Sequence, residues 1–310
     1  MKIALWVLLI VLALYVIFVI GPSLVGFFMI FRRQPARDFE VTDMTGTPYE
    51  PYMPEILRTI RKMKEKPFEP VETRSHDGLL LRGSYLDAGS RKTAVCFHGY
   101  RAMPLGSFSG VGEYLSETEG FNLLLVEQRA SNGSEGRFSS MGVLERQDAL
   151  RWIKVAEEKG ATEILLYGMS MGACTLGLCS DQIRDGKVKG IVLDAGFSSP
   201  RNQIIKQANV RKAPGVLMAP VVRVIGFLLF HGDLYDNVTK HLNKCDIPGV
   251  FLHSRVDDVV PPEDTEEAFS AMKAPKKKLI TDKGGHTTVF YAENEKVREI
   301  LHSFLKEYFE

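Results

Sequence analysis

The residues whose types and spacing could do chemistry are Gly168-Met169-Ser170-Met171-Gly172. A serine between glycines at minus two and plus two suits a tight strand-to-helix reversal, in which neighbouring side chains would collide with the serine's surroundings. Such an elbow projects the Ser170 hydroxyl and lays the backbone N–H of Met171 at a helix N-terminus, where it can stabilise an oxyanion. Five letters alone are weak evidence, so the flanks matter. Glu163–Tyr167 reads as a buried strand, and Ala173–Leu178 is small and apolar, as a helix packed on a sheet must be.

A serine nucleophile needs a base and a group to orient that base. Ile247–His253 reads as a buried strand followed by Ser254-Arg255-Val256-Asp257-Asp258, so Asp257 or Asp258 stands at the strand's carboxyl end. Two histidines come later in the chain. His302 falls off the packing face of the last helix, whose stripe is Val297, Ile300, Leu301, Phe304, Leu305 and Tyr308. His286 follows strand Lys278–Thr281 and the pair Gly284-Gly285, which places it on a loop able to reach Ser170. A second oxyanion donor comes from strand Lys92–Phe97, which ends in His98-Gly99-Tyr100-Arg101. We assign that N–H to Tyr100 and a turn-stabilising role to His98.

These residues require a sheet to carry them. The chain has 310 residues, enough for one large α/β domain with appendages. Its formal charge of +1 gives no footprint for nucleic acid. Cys96, Cys174, Cys179 and Cys245 lack the spacing of a zinc site or a disulfide framework and read as free thiols. Val71–Ser75 and Leu79–Leu86, joined by His76-Asp77-Gly78, read as an antiparallel hairpin. A helix around Val111–Glu117 precedes the buried strand Phe121–Val126.

That strand exits into Glu127-Gln128-Arg129-Ala130-Ser131-Asn132-Gly133-Ser134. Here the chain resembles the α/β-hydrolase superfamily, in particular its bacterial serine-hydrolase branch related to serine aminopeptidases and to membrane-anchored esterase-like proteins. The branch usually carries Asp-x-Arg-Gly-x-Gly-x-Ser at this point. Arg129 and Ser134 are kept, whereas Glu127, Ala130 and Asn132 depart from it. The resemblance covers about residues 69–308 and implies a mostly parallel eight-stranded sheet flanked by helices. It also places Asp257 as the triad acid, because His253-Ser254-Arg255-Val256-Asp257-Asp258-Val259-Val260-Pro261 matches His-Gly-x-x-Asp-x-x-Val-Pro with serine for glycine. The chain order Ser170, Asp257, His286 is the one this fold uses. The expected reaction is acyl transfer from an ester, thioester or amide to water, calling for neither metal nor organic cofactor.

Glu145 and Asp148, at i and i+3 on the helix before the elbow, are expected to serve surface or loop-anchoring roles, because no metal or sugar motif accompanies them. Residues 196–246 form an insertion suited to a helical cap. Its apolar run Val216–Phe230 could cross a membrane but for Pro220 and Arg223. An aminopeptidase would want an acidic cluster there for a free amine, with Asp233 and Asp236 as weak candidates. A catalytically silent, membrane-tethered binding protein is the other alternative.

At the amino end, Ile3–Phe31 carries no charge and is long enough to span a bilayer, with Gly21-Pro22 as its expected kink or end. We read residues 1–33 as an uncleaved single-pass anchor and 34–68 as a linker. Arg32, Arg33, Arg37, Arg58, Arg61, Lys62, Lys64 and Lys66 against Lys2 favour a cytoplasmic catalytic domain. Pro54–Lys66 reads as a basic amphipathic helix, lying on anionic headgroups or packed on the domain edge. Tethering and an apolar cap point to lipid-like acyl substrates.

Overall fold

The computed structural model describes residues 2–34, 46–184 and 186–309. Eight strands form one sheet: β1 (Glu69–Arg74), β2 (Leu80–Leu86), β3 (Lys92–Phe97), β4 (Asn122–Val126), β5 (Glu163–Met169), β6 (Val188–Asp194), β7 (Gly249–Ser254) and β8 (Lys276–Thr281). Their spatial order is β1-β2-β4-β3-β5-β6-β7-β8. β2 pairs antiparallel with β1 and β4, and every pairing from β4 to β8 is parallel. The central strands are apolar runs with polar residues mainly at their ends, because helices cover both faces and two-sided burial leaves little place for alternation.

One face of the sheet is covered by α5 (Glu145–Glu158) and α6 (Met171–Cys179). The opposite face carries α4 (Pro104–Glu117), α11 (Val289–Ala292) and α12 (Asn294–Tyr308). α10 (Pro262–Ala271) precedes β8. Between β6 and β7 the insertion folds as α7 (Pro200–Val210), α8 (Gly215–Phe230) and α9 (Val238–Leu242). α4 begins seven residues earlier than expected, at Pro104, whose fixed φ and missing N–H suit a first turn and start a helix through the glycine-rich stretch that follows.

The N-terminal helix runs unbroken from Lys2 to Phe31, as α1 (Lys2–Tyr15), a π-turn (Val16–Ile20) and α2 (Gly21–Phe31). Of the kink or end expected at Gly21-Pro22, the end does not occur. Pro22 cannot donate to the preceding turn, and the helix absorbs the missing bond by widening, with Gly21 N–H reaching back five residues to Val16 O. The helix is long and apolar enough to cross a membrane. Its last part belongs to the folded domain: Val19, Ser23, Phe27 and Phe31, spaced by four, are buried. Phe27 stacks on Phe31 and Phe230, and Ser139 N–H donates to Phe31 O at 2.8 Å.

The basic helix is α3 (Met53–Lys64), and its fate is the domain edge. Met53, Ile56, Ile60 and Met63 are buried, while Arg58, Lys62 and Lys66 pair with Glu113 and Glu117 of α4. Three of the segment's cations are thus taken up by the protein itself, which fits the domain-edge reading, while Arg61 and Lys64 are exposed. Arg37 lies outside the described residues. Cys96, Cys174, Cys179 and Cys245 are all free and buried.

Candidate active site

β5 drives into α6 through a turn that only glycine permits on either side. A β-carbon on Gly168 would stand 2.5 Å from the Gly172 backbone, and one on Gly172 would stand 1.9 Å from Phe97 O. Between them Ser170 is held at φ 52°, ψ −112°, a conformation that costs a non-glycine residue on the order of 1–3 kcal/mol. Ser170 N–H donates to Asp194 O at 2.8 Å and Cys174 N–H to Ser170 O at 3.0 Å, which pins the strained residue from the sheet side and the helix side.

The loop after β8 brings His286 to this serine. His286 Nε2 lies 2.8 Å from Ser170 Oγ and Nδ1 lies 2.8 Å from Asp257 Oδ2. The carboxylate accepts only, so Nδ1 carries the proton and Nε2 is left to accept from the serine hydroxyl. Asp257 Oδ1 takes the N–H groups of Val259 and Val260, both at 2.8 Å. Burial alone would push the Asp257 carboxyl up; hydrogen bonds from His253 and His286 outweigh it and hold the group well below the usual carboxylate range. Asp258, the neighbouring alternative, is exposed to solvent.

Of the two oxyanion candidates, Met171 opens α6, where the first N–H groups have no partner within the helix. Tyr100 follows Gly99, whose backbone runs so close to Ser170 that a β-carbon there would stand 3.5 Å from Ser170 Cβ. The Tyr100 phenol donates to Ile30 O of α2 at 2.5 Å. Tyr100, Met171, Ile30, Arg32 and Ser139 line a narrow crevice of about 20 Å³, room for about one water molecule.

His98 is wholly buried and structural. Its Nε2 accepts from Gln128 N–H at 3.1 Å, its Nδ1 faces Gly99 O at 2.6 Å, and burial lowers its pKa to about 4, so the ring is neutral. Glu145 and Asp148 anchor loops from inside the protein, and neither lies at the surface. Glu145 takes the N–H groups of Ser140 and Gly142 and the Ser140 hydroxyl. Asp148 receives buried Arg129 in a two-pronged bond at 2.6 and 2.7 Å, and Arg129 also grips Asp77. That guanidinium sits where a cation would have to sit among His76, Asp77 and Asp148. Asp233 pairs with Arg223, and Asp236 with Arg146 and His241, so both candidate acids are already paired with cationic partners.

Three contributors escaped the sequence reading. His253 Nε2 lies 3.2 Å from Asp257 Oδ2 and 3.1 Å from Val260 O, so it buttresses the acid from inside β7; a histidine four residues before a candidate acid is the only signal it offers. Asp194 is fully buried at the end of β6, where burial raises its carboxyl to about 6 and Tyr167 donates to it at 3.2 Å. Tyr49 Oη and Thr287 Oγ1 are 2.7 Å apart, and a β-carbon on Gly285 would meet Pro48 at 2.4 Å. The segment before α3 thus clasps the histidine loop, a contact no local pattern announces.

The sheet order, the elbow after β5 and the polar loops at the carboxyl ends of β3, β7 and β8 form one arrangement, and solved structures share it. The esterase Pf2001 of Pyrococcus furiosus superposes with a TM-score of 0.64 at 22% identity, over 80% of this chain and 94% of that one. The alpha/beta hydrolase GrgF of Penicillium sp. sh18 superposes with a TM-score of 0.62 at 20% identity, over 78% and 99%. The chain has the α/β-hydrolase fold. By sequence it is similar to protein YfhR of Escherichia coli K12, 24% identical over 233 residues that make up 72% of this chain and 74% of YfhR. No family model matches. In this α/β-hydrolase fold, Ser170 occupies the elbow after β5, Asp257 follows β7 and His286 follows β8.

Proposed function

We propose that this chain is a membrane-anchored serine hydrolase that cleaves carboxylic esters, with thioesters and amides as chemically related substrates. The carrying observation is the relay in which Ser170 Oγ, His286 Nε2, His286 Nδ1 and Asp257 Oδ2 are joined by two contacts of 2.8 Å. Ser170 attacks the carbonyl carbon while His286 takes its proton. The N–H groups of Tyr100 and Met171 receive the oxyanion. Collapse of the tetrahedral adduct expels the alcohol, which leaves with the proton returned by His286. A water molecule, deprotonated by the same imidazole, then attacks the acyl-serine, releases the acid and restores Ser170. Asp257 stays charged throughout and stabilises the imidazolium.

The unusual φ 52°, ψ −112° of Ser170, together with the His286 contact on its hydroxyl, favours this reading over a silent binding protein. An aminopeptidase would need an acid free to hold the substrate amine, and Asp233 and Asp236 are spent on cations. The apolar N-terminal helix and apolar α8 favour lipid-like acyl esters. The proposal includes the division into an anchor at 1–33, a linker at 34–68 and a hydrolase domain at 69–310 capped by 196–246. It places the domain on the cytoplasmic side, where Arg32 and Arg33 outweigh Lys2. Turnover of a panel of acyl esters of increasing chain length by the full chain and by Ser170→Ala tests it. Loss of about 10⁴-fold or more in kcat with an unchanged circular dichroism spectrum is expected. Equal turnover by both proteins overturns it.

A further inference from the structure

The outer side of α8 is apolar where solvent should meet it. Val216, Leu217, Val224, Phe227 and Leu228 are each more than half exposed, while Met218, Ala219, Val222 and Phe230 are buried beneath them. Apart from Arg223, which is exposed and paired with Asp233, the helix is apolar all round; such a helix belongs in a core or in lipid, and a contiguous apolar patch marks a partner. The patch continues onto α2, where Leu24, Val25, Phe28 and Met29 are exposed as well. The two helices are packed together, with Gly26 against Met218 and the Phe27 and Phe230 rings 6.0 Å apart.

Length identifies the partner. Ile3–Phe18, sixteen residues without a buried side chain, reach about 24 Å at 1.5 Å per residue, short of the roughly 30 Å of a hydrocarbon core. From Val19 onward the helix is part of the domain. A bilayer deep enough to cover the free part must therefore extend along α2, and there it meets α8.

We propose that α8 lies flat on the membrane with its outer face in the acyl chains of the adjacent leaflet, a second membrane contact beside the N-terminal helix. It does not span: its sixteen residues also reach only about 24 Å, and Arg223 is tied to Asp233 by bonds of 2.8 and 2.9 Å. Basic residues border the patch. Arg32 follows α2, Arg211 and Lys212 precede α8, and Arg32 and Arg101 line the crevice. Such a rim complements anionic headgroups. The crevice between Ile30 and Tyr100 then lies at the leaflet surface; it holds only about one water molecule here, so an ester whose acyl chain stays in lipid reaches Ser170 through it only once it widens. This last consequence rests on the hydrolase reading; the membrane contact does not.

All four native cysteines are buried, so a thiol-directed environment-sensitive dye reports on one introduced cysteine. The full chain carrying Leu217→Cys, Leu228→Cys or the control Ala88→Cys, at the amino end of β3, is reconstituted into phosphatidylcholine vesicles containing phosphatidylglycerol. The dye at 217 and 228 is expected to shift to the blue and to be quenched by lipid spin-labelled high on the acyl chain, with neither change at 88. Emission at 217 and 228 matching that at 88 overturns the proposal. So does a blue shift that spin-labelled lipid leaves unquenched and that fades as protein is diluted in lipid, because a second copy of the chain then covers α8. No turnover is measured, so quenching together with failure of the ester assay removes only the hydrolase reading.

Discussion

The Tyr49 hydroxyl lies 2.7 Å from the Thr287 hydroxyl, one residue beyond His286, and joins the segment before α3 to the histidine loop. Thr287 itself is held at φ 56°, a left-handed conformation that a β-branched residue keeps only under restraint. Tyr49→Phe removes one neutral hydrogen bond, worth about 1 kcal/mol, and leaves the ring in place. We expect kcat to fall by about fivefold with little change in KM, measured on a soluble short-chain ester.

Asp257 and Asp258 are adjacent in the chain and opposite in environment. Asp257→Asn keeps the shape of the site but removes the negative charge facing His286 Nδ1. A fall in kcat of about 10⁴-fold is expected, against a change within about twofold for Asp258→Asn, read in the same ester assay.

Arg129 is almost wholly buried and holds Asp148 and Asp77 at once. Arg129→Met leaves the Asp148 carboxylate buried without its cation, which costs on the order of 3–5 kcal/mol. Thermal unfolding in detergent micelles is expected to show a markedly lower midpoint, and the fraction still folded at low temperature to retain ester turnover.

His241 in α9 sits between Asp236 and Asp181, at 3.0 and 2.8 Å. The hydrogen bond to Asp236 leads in raising its pKa above the ordinary 6.5, against partial burial. A folded pKa above the unfolded one gives stability that is complete below about pH 6.5 and lost as pH rises through the folded value. Asp236, held below its ordinary 3.8 by His241 and Arg146 despite burial, contributes in the opposite sense and fails only in acid. The midpoint difference between the native chain and His241→Gln should therefore be largest near pH 6 and shrink steadily towards pH 9.

Much of this architecture was legible because each central strand is a short apolar run that ends in a polar, glycine-bearing loop, and chemistry on such a sheet is confined to those loops. Ser170 announced itself through Gly168 and Gly172, and His286 through Gly284-Gly285 and the lack of a better histidine after Asp257. Long-range contacts left no local trace. Nothing in Tyr49 foretells Thr287, and for Glu145 the sequence leaves a surface role and a loop-anchoring role side by side, with no local sign that it turns inward. The continuation of the N-terminal helix past Pro22 escaped for a different reason: proline breaks an α-helix but is compatible with a π-turn, and periodicity does not distinguish the two in a segment that is apolar throughout.

The central claim is that the Ser170 hydroxyl is activated by His286. A fluorophosphonate probe reacts only with such a hydroxyl, and the labelled peptide can be read by mass spectrometry. The account predicts one label per chain, on Ser170, absent from Ser170→Ala, strongly slowed in His286→Ala and abolished by heat denaturation. A native, folded chain that stays unlabelled, or that is labelled equally well in Ser170→Ala, would contradict it.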